Sequence, residues 1–153
     1  MTSSVHDPID IEALIVARLT ERLKATGLVK FVYDTKGYAE VEEESQLSPA
    51  VAVIYNGYRA GVEVPRGQAQ AIDLEYLVVI VTASSTQTLR GSGAKASAGS
   101  IFLPLVGALT GWKPGPGLGR LTLSEAPGAG YSRAGFAYMP VAFTTRITIT
   151  PSI

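Results

Sequence analysis

One stretch of the chain decides its fold: Ile72-Asp73-Leu74-Glu75-Tyr76-Leu77-Val78-Val79-Ile80-Val81-Thr82-Ala83. Its first half alternates apolar and acidic residues, which is typical of a strand with one buried and one exposed face. From Leu77 to Val81 every residue is apolar, as expected for a strand that is covered on both faces. We therefore predict that residues 72–83 form the central strand of a sheet.

Alternating apolar residues predict further strands on both sides of this segment. Upstream, residues 29–33 alternate in a short strand and residues 50–58 in a longer one, and we expect these two strands to be sheet neighbours. Lys36-Gly37 indicates a turn between them. Downstream, the same pattern predicts three more strands, at 120–124, 136–139 and 141–150. The last two are expected to close the sheet as a pair.

An amphipathic helix is predicted over about residues 8–26. Asp7 is suited to cap it, Pro8 to occupy its first position and Gly27 to end it. Its apolar residues recur at helical spacing, at Ile11, Leu14, Ile15, Leu19 and Leu23. Glu12 lies largely off this apolar stripe, with the other charged residues. We expect the stripe to cover the sheet.

A second helix is predicted over about residues 100–111. It is apolar on nearly all sides and is expected to be buried, with Pro104 in its first turn, where no amide partner is lost. The whole chain, residues 1–153, is then one α+β domain. Its mostly antiparallel or mixed sheet of five to six strands packs with the N-terminal amphipathic helix and the second, buried helix.

Two segments are expected to be flexible, residues 1–7 at the terminus and a loop over residues 84–98. The loop is small and polar and carries Arg90 and Lys95, which favours a mobile linker or a basic loop that faces a partner. It contains a glycine-rich run, but the preceding strand ends some seven residues earlier, whereas a dinucleotide-binding motif needs a tight turn from strand to helix. We therefore predict no phosphate site here.

The composition excludes several classes of protein. The 153 residues include no cysteine and one histidine, His6, so we expect neither disulfides nor a catalytic triad or multi-histidine metal site. The N-terminus lacks the features of a signal peptide, and no apolar run reaches the roughly 20 residues that span a bilayer. We expect a soluble protein without a membrane partner, and we predict no catalytic, cofactor-binding or metal-binding residues.

Charge is distributed unevenly along the chain, although the formal net charge is zero. Residues 1–75 hold 12 acidic and 7 basic residues, whereas residues 76–153 hold one acidic and six basic residues. In one interpretation the two halves interleave on folding and the asymmetry disappears. In the other, acidic and basic patches lie on different faces, which favours head-to-tail association into a ring or stack.

The densest acidic segment contains Glu40, Glu42, Glu43 and Glu44. Paired carboxylates serve in acid–base catalysis when their pKa values are pushed apart. Four acidic residues in an exposed segment are more simply interpreted as a solvated face, and the next interpretation is a surface that docks a neighbour.

Five features of the sequence follow one another in a distinctive order: the helix Ile11–Lys24 with Gly27, the strand 49–53, the strand ending at 78–81, the helix tail 107–112 with Pro114, and Phe136-Ala137-Tyr138 with Phe143. In this order they resemble the tail terminator, or tail completion, proteins of long-tailed bacteriophages. Mu-like phages and phage lambda have proteins of this kind. The resemblance covers nearly the whole chain.

The resemblance implies a structural virion protein and not an enzyme. Such a subunit forms a hexameric ring on the head-proximal end of the tail tube, ends tube polymerisation and offers a docking surface to the head–tail connector. The implied partners are further copies of the chain, the tail tube protein and the connector, with a sheath protein as a further candidate. Genomic DNA would pass through the ring without sequence-specific binding. Assembly would take place in the cytoplasm of the host bacterium, and the final location would be the virion tail.

Within that picture the charged segments receive roles. Arg90 and Lys95 are expected to face the lumen or the tube, where DNA passes. The acidic residues Glu40, Glu42, Glu43 and Glu44 are expected to dock a neighbour.

Two alternatives stay open at this point. Another small ring-forming connector or minor tail protein would share the size, the fold class and the lack of catalytic residues. A small-ligand-binding or enzymatic α+β domain would instead use a pocket beneath the glycine-rich loops. The second alternative predicts a stable monomer with saturable ligand binding, whereas ring assembly predicts concentration-dependent oligomers with affinity for tube ends.

Overall fold

The fold is a mixed β-sheet with helices, described in a computed structural model for residues 7–63, 67–83 and 92–150. These residues form the strands β1 (Phe31–Tyr33), β2 (Ala50–Glu63), β3 (Gln70–Ala83), β4 (Thr122–Ser124), β5 (Gly130–Tyr131) and β6 (Phe136–Ile149). The α-helices among them are α1 (Pro8–Leu19), α2 (Thr35–Glu40) and α3 (Ser92–Leu109). The strands lie in the order β1-β2-β3-β6-β4, and β5 pairs with β6.

β3 lies at the centre of the sheet, as its sequence predicts. It pairs antiparallel with β2, where Val51 lies opposite Ile80, and antiparallel with the whole of β6. β1 pairs parallel with the start of β2, which confirms that these two segments are neighbours and makes the sheet mixed. The predicted α+β class is therefore confirmed.

The main hydrophobic core lies between the helices α1 and α3 and one side of the sheet, which we term the first face. Its buried residues include Ile11, Ile15 and Leu19 of α1, Ile101, Leu105 and Leu109 of α3, and Val51, Val53, Tyr76, Val78, Ile80 and Phe143 of the strands. Because side chains alternate along a strand, the residues between these point to the opposite side, which we term the second face.

α1 begins where the sequence predicts. The Asp7 carboxylate accepts a hydrogen bond from the Asp10 amide at 2.7 Å, and Pro8 occupies the first helical position. After α1 the chain continues through a π-helical turn, Thr20–Lys24, and Gly27 then adopts a φ of 83°, which only glycine reaches without steric cost. The predicted helix over 8–26 is thus confirmed, with a wider turn at its end.

α3 departs from the prediction at its beginning. It starts at Ser92, so the loop predicted over 84–98 is wrong from residue 92 onward, and residues 84–91 lie outside the described part of the chain. The alanines at 94, 96 and 98 have a higher helix propensity than the glycines and serines beside them, and Ala98 is fully buried. Pro104 consequently lies inside the helix and not in its first turn. Leu103 is 71% exposed, so α3 is not buried on all sides.

Two further segments differ from their predictions. The turn predicted at Lys36-Gly37 is the helix α2, because the Asp34 carboxylate caps it by accepting a hydrogen bond from the Gly37 amide at 2.6 Å. The two closing strands are one strand, β6, which runs through Pro140. Within the described residues, Pro140 lies between the stretches of β6 that pair with β5 and β4, and a missing amide is tolerated on such an unpaired edge.

Candidate functional site

The second face of the sheet divides into two halves with different chemistry. The half near the end of β3 is apolar and forms a second hydrophobic cluster with Ala50, Ala52, Val79 and Val81, beneath the segment 34–47. We term it the covered half. The other half carries polar side chains in register across three strands: Arg59 of β2, Asp73 and Glu75 of β3, and Thr144 and Arg146 of β6. We term it the open half.

Hydrogen bonds hold the segment 34–47 on the covered half. The Tyr138 hydroxyl donates to the Glu43 carboxylate and accepts from the Gln46 side-chain amide at 2.8 Å. The Tyr33 hydroxyl accepts from the Leu47 amide at 3.0 Å, and its ring contacts that of Tyr38 with the centroids 5.9 Å apart. Tyr33 and Tyr138 of the sheet therefore hold the segment 34–47 by hydrogen bonds, and Tyr38 of that segment packs against Tyr33.

The acidic segment divides into one anchored and three exposed carboxylates. Burial raises the pKa of Tyr138, and its hydrogen bond to Glu43 raises that pKa further. Burial also raises the pKa of Tyr38, and the negative charge of Glu43 adds to the effect. Glu43 is half-buried, whereas Glu40, Glu42 and Glu44 are exposed. The structure thus gives Glu43 a structural contact that the sequence pattern does not distinguish.

Glu12 of α1 fixes the position of α2 through hydrogen bonds to Thr35. Only 4% of this residue is exposed. Its carboxylate accepts hydrogen bonds from the Thr35 amide at 3.1 Å, the Thr35 hydroxyl at 2.5 Å and the Tyr55 amide at 3.3 Å. A single side chain of α1 therefore joins the first residue of α2 to β2.

The sequence prediction for Glu12 is wrong. Glu12 lies three residues before Ile15 and seven before Leu19, so helical spacing places it on the side of α1 that is buried. The spacing gives no sign of its hydrogen-bond partners, which belong to elements far apart in sequence. A second polar contact lies next to it: the Tyr76 hydroxyl donates to the Pro8 carbonyl at 2.8 Å, and burial raises the pKa of Tyr76. The start of α1 is thus attached to the sheet by polar as well as apolar contacts.

The open half carries a network of charged side chains. The Arg146 guanidinium donates two hydrogen bonds to the Asp73 carboxylate, at 2.8 and 3.1 Å. On the other side, the Asn56 amide donates to Glu75 at 2.6 Å, and the Arg59 guanidinium lies 4.0 Å from the same carboxylate. The acidic residues of β3 are therefore flanked by donors from both neighbouring strands.

A groove of about 460 Å³ opens on this half and is lined by Asp73, Gly119, Arg120, Thr122, Thr144 and Arg146. Gly119 is one of the lining residues, and its amide donates to the Arg146 carbonyl at 2.9 Å. A Cβ atom at position 119 would lie 3.1 Å from the backbone of Arg146, so glycine permits this close approach. The Arg120 side chain donates to the Gly111 carbonyl at 3.0 Å and is otherwise exposed. The groove therefore presents two guanidinium groups and two hydroxyl groups.

The Asp73–Arg146 pair makes stability depend on pH. The hydrogen bonds from Arg146 lower the pKa of Asp73 below its usual 3.8, so the folded protein favours the charged carboxylate. This contribution is fully present above pH 3.8 and is lost as the pH falls through the lower pKa of the folded state. We expect Asp73→Asn to be less stable than the parent chain between pH 5 and 7 and equally stable near pH 2. Urea denaturation at a series of pH values measures this, and a difference that does not change with pH would contradict it.

The residues predicted to be functional from the sequence fall in different places. Arg90 lies outside the described residues, and Lys95 lies on α3 instead of in a loop. Sequence reasoning missed the groove. The alternation over 141–150 places Arg146 on the exposed side of its strand, but only the backbone contact at Gly119 brings Arg120 beside it. No signal in the sequence indicates that contact.

Neither a metal centre nor a membrane span emerges from the described residues. No three His, Cys, Asp or Glu side chains among residues 7–63, 67–83 and 92–150 come together as a metal site. Within the same ranges, no helix combines the length and hydropathy required to cross a membrane.

The chain is similar to known proteins in sequence and in fold. The sequence model of a family described as "Phage tail terminator protein" matches residues 5–152. No curated protein matches the sequence. Among solved structures, a chain described as "Virion of native gene transfer agent (GTA) particle" is similar to this protein, with a TM-score of 0.50 and 14% identity. The likeness covers 95% of this chain and 92% of that one, and it is a likeness of fold.

Proposed function

The chain belongs to the family of phage tail terminator proteins, and we propose that it forms a hexameric ring on the head-proximal end of the tail tube. The ring ends tube polymerisation and offers a docking surface to the head–tail connector. The observation that carries the proposal is the family match over residues 5–152, nearly the whole chain. As a member of this family the chain is a structural component of a phage tail.

The distribution of charge supports a ring as the form of assembly. The exposed carboxylates of Glu40, Glu42 and Glu44 lie over the covered half, and the guanidinium groups of Arg120 and Arg146 lie on the open half, where Arg146 is paired with Asp73. A closed ring needs two different, complementary surfaces on each subunit, because each subunit contacts one neighbour with each surface. The acidic residues Glu40, Glu42 and Glu44 supply one such surface in this proposal.

The proposal gives Arg90 and Lys95 a position near the lumen or the tube. Basic side chains there would contact the phosphate backbone of passing DNA without reading its sequence. A sheath protein is a further candidate partner, and the cytoplasm of the host is the proposed place of assembly. Reversing the charge of both residues tests their part: unchanged tail joining and DNA passage would remove this assignment while leaving the ring untouched.

Tube growth in the presence of the chain tests the function itself. Tail tube protein from the same phage is polymerised with and without the purified chain, and tube lengths are measured in negative-stain images. We expect the chain to shorten the tubes and to bind at one end of each. Heat-unfolded chain at the same concentration is the control. Tubes that grow to the same length with native and with unfolded chain would overturn the proposal.

A further inference from the structure

We propose that the exposed carboxylates Glu40, Glu42 and Glu44 of one subunit bind in the open-half groove of the next subunit, at Arg120 and Arg146. This contact rests on the proposed function, because it is the interface between neighbours in the ring. It names both sides of the interface, and it makes the interface head-to-tail.

The acidic side is exposed but held in place. Glu40, Glu42 and Glu44 form no ion pair with any other residue of the described ranges. Glu43, between them, accepts from the Tyr138 hydroxyl, and Asp34 caps α2, the helix that ends at Glu40. Because the backbone is anchored at these points, the segment loses little conformational freedom when it binds.

The basic side has donors that the fold does not use. Arg146 gives two of the five N–H groups of its guanidinium to Asp73. Arg120 forms no ion pair within the described part of the chain and donates one hydrogen bond to a backbone carbonyl. Guanidinium groups match carboxylates in geometry as well as charge. The hydroxyl groups of Thr122 and Thr144 also line the groove, but they lie 2.9 Å apart and hydrogen-bond to each other, so the unused donors are those of the two guanidinium groups.

The two surfaces cannot meet within one subunit. Tyr138, beneath the acidic segment, and Arg146, in the groove, lie at opposite ends of β6. A strand advances about 3.4 Å per residue, which separates them by roughly 27 Å. A second copy therefore has to supply the partner of each surface, and two different surfaces that pair between copies produce a ring when the rotation closes.

The composition of the groove favours a short acidic segment over nucleic acid. A phosphate backbone lying along the whole open half would pass Glu75 as well as the Asp73–Arg146 pair, and the Glu75 carboxylate would repel it. Asp73 is neutralised by Arg146, so a short segment that contacts only Arg120 and Arg146 avoids that repulsion.

Charge exchange between the two surfaces tests this interface. One variant carries Glu42→Lys and Glu44→Lys, and the other carries Arg120→Glu. Light scattering over a concentration series measures the assembly of each, where six chains of 16.1 kDa give about 97 kDa. We expect each variant alone to dissociate at concentrations at least about tenfold above those of the parent chain, because like charges then face each other.

Mixing the two variants tests whether the two surfaces contact each other. In an alternating ring, the lysines of one variant face the new glutamate of the other, and the next interface is the original one. We therefore expect the equimolar mixture to recover rings near 97 kDa, with even numbers of subunits. Recovery also shows that both variants fold, and thermal unfolding of each variant checks folding independently.

Matched controls separate the interface from a change in net charge. Glu21→Lys with Glu125→Lys reverses two exposed acidic residues elsewhere, and Lys113→Glu reverses an exposed basic residue outside the groove. We expect both controls to assemble like the parent chain. Raising the salt concentration from 50 to 500 mM is expected to weaken the parent ring, because exposed charge pairs are screened.

Each outcome distinguishes this interface from the proposed function. If the parent chain forms rings and the two variants assemble equally well, or if mixing fails to recover rings from folded variants, the interface is wrong and the function stands. If the variants form normal rings but fail to bind tube ends, the groove faces the tube and the interface is again wrong. If the parent chain neither assembles nor binds tube ends, both fail.

Discussion

Replacing Glu12 with leucine is expected to lower the free energy of unfolding by about 3 kcal/mol. The carboxylate is the acceptor for the Thr35 amide and hydroxyl and for the Tyr55 amide, in a position that is only 4% exposed. Leucine fills similar space but accepts no hydrogen bond, so two partly buried amides, of Thr35 and Tyr55, lose their charged partner. Each buried donor left unpaired costs about 1–3 kcal/mol.

The size of this effect includes an opposing contribution. Burying a carboxylate costs free energy that leucine does not incur, and the Tyr55 amide keeps a long contact to the Thr35 hydroxyl at 3.3 Å. These contributions reduce the loss below the sum of three hydrogen bonds. Urea denaturation monitored by circular dichroism measures it.

Glu12→Gln is the matched control. Glutamine keeps one acceptor oxygen and the shape of the side chain but loses the charge, so we expect a loss of about 1 kcal/mol. A leucine variant that is as stable as the parent chain would show that the carboxylate does not anchor α2.

Tyr138→Ala is expected to release the acidic segment from the sheet and to cost about 2 kcal/mol. The substitution removes the hydroxyl that Glu43 and Gln46 contact, and it removes a ring that lies 6.3 Å from the ring of Phe136. The side chain is half-buried, so the expected loss is smaller than for a fully buried aromatic residue. Hydrogen exchange should rise over residues 41–47 while the strands β3 and β6 stay protected.

Tyr138→Phe separates the hydroxyl from the ring. Phenylalanine keeps the packing and loses both hydrogen bonds, so we expect about half the loss in stability and faster exchange confined to residues 43–46. If exchange over 41–47 is the same in both variants and in the parent chain, Tyr138 does not hold the segment.

Local patterns in the sequence predict the elements that face the core. β3, α1 and the pairing of β1 with β2 follow from runs of apolar residues, since burial against a sheet imposes a period of two or 3.6. The family resemblance follows from the order of the same elements, and the match to the phage tail terminator family confirms it.

Most features that the sequence did not predict depend on contacts between distant segments. The helix α2 is the exception, because its cap joins Asp34 to the Gly37 amide, and Asp is a residue type that favours this position. The start of α3 at Ser92 was also missed, and Ala98 within it is fully buried. The groove needs Gly119 beside Arg146, and the Glu12 site needs Thr35 beside β2. These two contacts join residues that are far apart in the sequence, and the residue types at 12, 35, 119 and 146 do not by themselves indicate that the pairs meet.

In the proposed function, six copies of the chain cap one end of the tail tube. The chain contains no cysteine, so Glu125→Cys at an exposed position accepts a single fluorophore. Counting photobleaching steps of the labelled chain on individual tail tubes measures both the location and the number of copies. We expect six steps, at one end of each tube. Label scattered along the tube walls, or tubes without bound label at saturating chain, would contradict the claim.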